Sequence, residues 1–184
     1  MTSTQKQRVA IGFAVLIVAM VALGLHFGNR PSPEPVVPAA PADPASPAPA
    51  IETMPVTIYL YDARRDMDAS GNVLCSAQGL VPSTRTVPQT EARLAAALGE
   101  LFAGSLTEEE RGRGLRTEFP LEGVRLSEVE VDNGTAVITV RDPDHKSSGG
   151  ACRVNIMRAQ IERTAREFST VERVRFAPEG VFEP

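Results

Sequence analysis

The chain has 184 residues and a formal net charge of −4, with 42% hydrophobic and 23% charged side chains, a globular average that conceals three stretches of different composition. Setting aside an apolar N-terminal stretch and a Pro/Ala-rich stretch with eight of the 15 prolines leaves Ile51 to Pro184, 134 residues, enough for one domain with a core and too few for two. This portion carries 16 Lys+Arg against 21 Asp+Glu, which argues against a nucleic-acid binder working by bulk positive charge, and the two cysteines and two histidines of the whole chain exclude a zinc cluster or haem-attachment motif.

Residues 1–8 form a short basic terminus. From Val9 to Leu25 no side chain is charged or strongly polar, and extending to Gly28 gives 20 residues, about 30 Å of helix, the thickness of a bilayer's hydrocarbon core. A cleaved signal is the competing reading, but the exit His26-Phe27-Gly28-Asn29-Arg30 is a poor cleavage site, and no cysteine follows for a lipoprotein anchor. The expectation is therefore an uncleaved signal anchor over 9–28. Lys6 and Arg8 outweigh Arg30, which Glu34 dilutes, so the N-terminus is expected in the cytoplasm and the remainder outside. The 29–54 stretch, dominated by PSPEPVVPAAPADPASPAPA, has no periodic apolar face and reads as a disordered, polyproline-like linker.

The folded part is expected over 55–184. Val56, Ile58 and Leu60 alternate with Thr57, Tyr59 and Tyr61, the period of a strand with one buried face. Val73, Leu74, Leu80 and Val81 suggest a short returning strand. Glu91 to Ala103 places Leu94, Leu98, Leu101 and Phe102 at helical spacing, with Thr90 as N-cap and Gly104 just past the end. Thr107 with Glu110 fits a capping box. Val124–Val131 and Ala136–Val140 flank Asp132-Asn133-Gly134 as a hairpin, and a change of phase predicts a bulge near Ser127 and Glu128. Cys152 to Phe168 carries a helical stripe of Val154, Met157, Ile161, Ala165 and Phe168, and Val171 to Phe176 alternates as a last strand. Strand, helix, hairpin, helix, strand is an α+β split βαββαβ arrangement, with both helices on one face of a single mixed sheet.

VTIYLYD, GNVLCS, the helix ending in AG with TEEE beyond it, TEFP, the NG hairpin, SGGACR, AQIERTAREF and VERVRF, in this order and spacing, resemble a GerMN domain over about Val56 to Pro184. The resemblance implies a bacterial, extracytoplasmic α+β domain related to ring-building modules of membrane-associated assemblies, with no established catalytic residues. The sporulation protein for which the domain is named is a lipoprotein with two copies in tandem, whereas this sequence has one copy behind an expected membrane anchor.

Cys75 and Cys152 form an even pair in a domain expected in an oxidising compartment, which favours a disulfide; two buried thiols or a reactive thiolate are the alternatives. Asp66, Asp68, Ser70, Gly71 and Asn72 match the first half of a calcium loop, but the bidentate Glu needed at its twelfth position is Ala77, so an acidic turn is the competing reading. His145 is the one imidazole of the domain, beside Asp142, Asp144, Ser147 and Ser148 in a Gly-rich loop that reads as a solvated turn before it reads as a triad. Glu108, Glu109 and Glu110 suit helix initiation and solvation. Arg64, Arg65, Arg173 and Arg175 read as solvated strand ends, or as contacts for an anionic polymer or a partner.

No cofactor is implied. The sequence points to a non-catalytic, membrane-anchored binding or scaffolding domain of the bacterial envelope, engaging an envelope protein or peptidoglycan, with a second copy of itself at the strand edges as a further candidate partner and no nucleic-acid partner. The alternative is a cell-wall hydrolase using paired carboxylates, or His145 with a serine.

Overall fold

Strand β1 (Thr53–Tyr61) opens the fold. The computed structural model describes residues 51–183. The expected cytoplasmic terminus at 1–8, the anchor at 9–28 and all but the end of the 29–54 linker lie outside those residues. Among the described residues no helix is long and apolar enough to cross a membrane.

β1 pairs in antiparallel register with β2 (Leu80–Pro88), from Thr53 opposite Pro88 to Tyr61 opposite Leu80. The returning strand is thus longer than Leu80 and Val81 suggested, because Pro82 and Pro88 disguise a run that an edge strand tolerates. Helix α1 (Arg93–Ala103) follows, burying Leu94, Ala97, Leu98, Leu101 and Phe102. It begins two residues later than expected: the Thr90 hydroxyl accepts the Ala92 N–H at 3.1 Å, and no side chain caps the helix. Gly104 ends it at φ 64°, and a Cβ there would run into the Phe119 carbonyl. Helix α2 (Glu108–Gly112) starts in the expected capping box, with both reciprocal bonds of Thr107 and Glu110 formed.

β3 (Arg125–Asp132) and β4 (Thr135–Arg141) form the expected hairpin about Asn133-Gly134, with a register shift between Leu126 and Glu128 where the bulge was predicted. Helix α3 (Ala151–Ala165) and β5 (Arg173–Ala177) complete the fold, β5 lying parallel to β4. The helix stops three residues short of the expected Phe168, and β5 starts two after Val171.

The single mixed sheet is not what forms. The strands make a two-stranded sheet β1-β2 and a three-stranded sheet β3-β4-β5. The reason lies on the free edge of β1. Tyr59 N–H donates to the Thr164 hydroxyl at 3.1 Å, its carbonyl accepts from the Gln160 side-chain amide at 3.0 Å, and Tyr61 exchanges two 2.8 Å backbone bonds with Arg116. Backbone groups that would recruit a third strand are already satisfied by α3 and by one bridging residue. β1 is consequently buried on both faces at its C-terminal end: Ile58 and Leu60 join the main core, while Tyr59 and Tyr61 pack with Leu80 and Ile156.

The main core joins both sheets to α1 and α3 and is closed by Phe182, which is fully buried. Its ring meets Phe176 at 5.3 Å and Phe119 at 6.3 Å, both edge-on. Val181 and Phe182, beyond the final strand, are therefore part of the core.

Candidate interaction surfaces

The disulfide forms between Cys75 and Cys152, with Cα atoms 5.1 Å apart and 77 residues of separation. It ties the loop after β1 to the first turn of α3. That loop holds the calcium-like motif, whose oxygens face protein donors. Asp66 is fully buried; its carboxylate accepts from the Tyr61 hydroxyl (2.5 Å), the Ser76 N–H (2.6 Å) and the Ser76 hydroxyl (2.5 Å). Burial would raise its pKa, but the bonds from Ser76 and Tyr61 prevail and hold it below the ordinary aspartate value, while burial and Asp66 together push the Tyr61 phenol up. Asp68 accepts from the N–H groups of Ser70 and Asn72 at 2.8 Å each and from the Asn72 amide at 3.0 Å. Asp66 points into the fold and Asp68 closes its own turn. Among the described residues no group of three or more His, Cys, Asp or Glu side chains is placed to hold a metal ion.

The Gly-rich loop resolves in the same manner. Asp142 accepts from the Lys146 N–H (2.8 Å), the Ser147 N–H (2.8 Å) and the Ser147 hydroxyl (2.6 Å). Against the effect of burial, these bonds lower its pKa. Ser147 is 1% exposed and also accepts the Phe182 N–H at 3.3 Å. Its hydroxyl proton is thus committed to Asp142, not to His145, which stands exposed at φ 51°. Ser147 is the pin that seats the C-terminal plug.

Glu110 corrects the reading of the acidic run. It is buried, and both its oxygens engage the Arg85 guanidinium, at 2.9 and 3.0 Å, beside the Ser83 hydroxyl and the Thr107 N–H. Burial opposes ionisation, yet the bonds from Arg85 and Ser83 depress its pKa from the usual 4.5 to about 2. Sequence reasoning missed Arg85 because nothing about the TRT segment announces a buried cation. Of the arginines set apart earlier, Arg64 is held by Asp62 and by the Arg113 carbonyl, and Arg173 donates to Thr135 and to the Asn133 carbonyl.

Among the described residues, the outer face of the three-stranded sheet is left open. Ala136, Ile138 and Val140 of β4 point to the core, so Thr135, Val137, Thr139 and Arg141 point away from it. The registers set three rows across that face: Asp132–Thr135–Arg173, Glu130–Val137–Arg175 and Glu128–Thr139–Ala177. The acids of β3 and the arginines of β5 thus flank a Thr-Val-Thr strip. Two strand spacings, about 10 Å, separate the strips, and among the described residues no ion pair joins them. A second surface is a groove of about 410 Å³ between the start of α1, Val129 and Val131 of β3, and Phe168.

The architecture is a mixed α+β fold in which Asp66, Asp68 and Asp142 are engaged in holding loops. The profile of the Germane family, described as sporulation and spore germination, matches residues 57–182. The chain belongs to that family and carries a GerM-like GerMN domain. Two solved structures from Bacillus subtilis are similar to it at 20% identity, each with a TM-score of 0.48 over 70% of this chain: the tandem GerMN domains of the sporulation protein GerM and its first GerMN domain alone. This chain spans 40% of the tandem structure and 84% of the single domain. No curated protein matches it.

Proposed function

We propose that this chain is a membrane-tethered, extracytoplasmic scaffolding or binding protein of the bacterial envelope that works by contact through the outer face of its β3-β4-β5 sheet. One observation carries this reading: that face keeps an acidic strip on β3 and a basic strip on β5 apart, with β4 between them, while Asp66, Asp142 and Ser147, among the residues nominated for chemistry, are spent on internal hydrogen bonds. Separated strips of opposite sign favour a partner with the inverse pattern and disfavour others, which makes for specificity more than for affinity. The apolar 9–28 stretch and the proline-rich linker supply the tether, and membership of a sporulation and germination family agrees with an envelope setting. Another envelope protein or peptidoglycan is the ligand this reading calls for.

A photocrosslinking residue at Val137 of the full chain in intact cells tests it, with one at the exposed Ala77 as control. Adducts in the membrane fraction specific to position 137 are expected. No adduct at 137, or recovery of the chain as a freely soluble protein, overturns the reading. Release of soluble muropeptides from peptidoglycan by the purified chain would instead establish the hydrolase.

A further inference from the structure

At one end of the same sheet face, Arg125 of β3 lies directly opposite Arg141 of β4. Facing residues of an antiparallel pair project to the same side, with Cβ atoms about 5 Å apart, and like charges in that relation destabilise the pairing. Their neighbours Leu126 and Val140 turn inward, Val140 being 1% exposed, so both guanidinium groups extend from the outer face. Several other arginines have a local carboxylate: Arg111, Arg113, Arg158, Arg163 and Arg166 each pair with a glutamate three or four residues away, whereas the exposed Arg65, Arg93, Arg116 and Arg175 make no ion pair among the described residues but do not face one another across a ladder. Among the described residues, Arg125 and Arg141 make no ion pair and no side-chain hydrogen bond.

The space between them is a notch of about 260 Å³, whose remaining walls are Gly123 and Pro143. Gly123 sits at φ 80°, and a Cβ there would approach only the Asp144 carboxylate, at 3.6 Å, so the glycine keeps that wall without a side chain. Asp142, next to Arg141, is turned away by its bonds to Lys146 and Ser147. Asp144 reaches neither arginine within ion-pair distance. Two forked donors therefore face one small cavity, with the Asp144 carboxylate beside its Gly123 wall but paired to neither arginine.

We propose that this notch binds an oxyanion, a phosphate or carboxylate group, free or carried by a larger molecule. The guanidinium fork matches two oxygens of either group, and charge-assisted bonds of this kind are the strong ones. Binding offsets the repulsion that the unliganded hairpin end carries. The inference goes beyond the scaffolding reading and does not depend on it: anion binding can fail while crosslinking at Val137 succeeds, and the reverse.

The test follows the arginine side-chain Nε–H signals by NMR, using the full 184-residue chain in detergent titrated with inorganic phosphate or acetate at constant ionic strength. Saturable shifts of Arg125 and Arg141 are expected, while Arg111 and Arg163 stay still. Saturation with phosphate alone assigns the phosphate class, and saturation with both anions assigns carboxylates as well. Arg125→Gln is expected to weaken binding by about tenfold, the loss of one charge-assisted contact. Arg125→Glu is expected to raise the thermal midpoint without phosphate, by removing the like-charge pair, and to abolish the further rise that phosphate gives the unaltered chain. Shifts that grow linearly and match those in sodium chloride, or a phosphate response unchanged in Arg125→Gln, overturn the proposal.

Discussion

The two sheets of this domain are built from similar strands and end in opposite situations. β1 is covered on both faces at its C-terminal half and has its free edge closed by Thr164, Gln160 and Arg116. The β3-β4-β5 sheet buries one face against α1 and α3 and leaves the other to charged side chains. A strand occupied on every side has no surface left for a ligand, whereas a sheet occupied on one side has a whole face to offer. Support therefore lies in the first region and the proposed contact in the second, and substitutions in the two regions should differ in kind.

The largest loss is expected at the ion pair joining β2 to α2. Glu110→Ala leaves Arg85, whose side chain is 11% exposed, without its bidentate partner, and stranding a buried charge costs about 3–5 kcal/mol. Urea unfolding of the variant against the unaltered protein measures this. The same residue sets an acid limit. The folded pKa of Glu110 is depressed to about 2 from 4.5, so its contribution is complete above about pH 4.5 and is lost as pH falls through about 2. The lowered pKa values of Asp66 and Asp142 act in the same direction. Urea midpoints should fall between pH 5 and pH 2, with a shallower fall in Glu110→Gln. Equal slopes would show that the pair is not the acid-sensitive element.

Next in size is the disulfide. Cys75→Ser removes a cross-link enclosing most of the domain's length and is expected to cost about 2–4 kcal/mol. The loss should appear as a lower thermal midpoint in oxidising buffer and vanish when both proteins are reduced. Smaller again is Gln160→Leu. It leaves the Tyr59 carbonyl without its side-chain donor, an unsatisfied buried acceptor worth about 1–3 kcal/mol. Hydrogen exchange should quicken at β1 and β2 more than at β3 and β4. Uniform quickening would mean that the closed edge is not a separate support.

These effects also show what a sequence discloses. The hairpin, its bulge, the capping box and the cysteine pair were legible because each rests on residues close in sequence or on simple chemistry: Asn133-Gly134 tolerate positive φ, Thr107 and Glu110 are three apart, and two cysteines have one way to join. β2 was foreshortened because Pro82 and Pro88 mark turns more often than strands. The split into two sheets was hidden because it depends on Gln160 and Thr164, two polar positions of α3 that read as surface and turn out fully buried. Phe182 was passed over for a similar reason: its place in the core depends on the Ser147 hydroxyl, 35 residues away. The charge rows were within reach, since the turn and the bulge together determine which residues of β3 and β4 face each other. The partner strand β5 could not be aligned without the parallel pairing.

The smallest expected change in stability belongs to the open face, and it is the most informative. Glu130 is exposed and meets Arg175 only across Val137. Glu130→Lys should therefore shift stability by no more than about 0.5 kcal/mol, since no buried group loses a partner. It nevertheless reverses the sign in the middle of the acidic strip, so crosslinking from Val137 to its neighbour should drop sharply while the urea midpoint stays in place. Arg175→Glu alone should do the same from the opposite strip. The double exchange restores opposite signs with the strips inverted in one row, so a partner that reads the pattern will still refuse it, whereas one that responds to net charge will accept it. A loss of crosslinking accompanied by an equal loss of stability would instead place Glu130 among the residues that hold the fold, and the contrast between the two sheets would no longer separate support from contact.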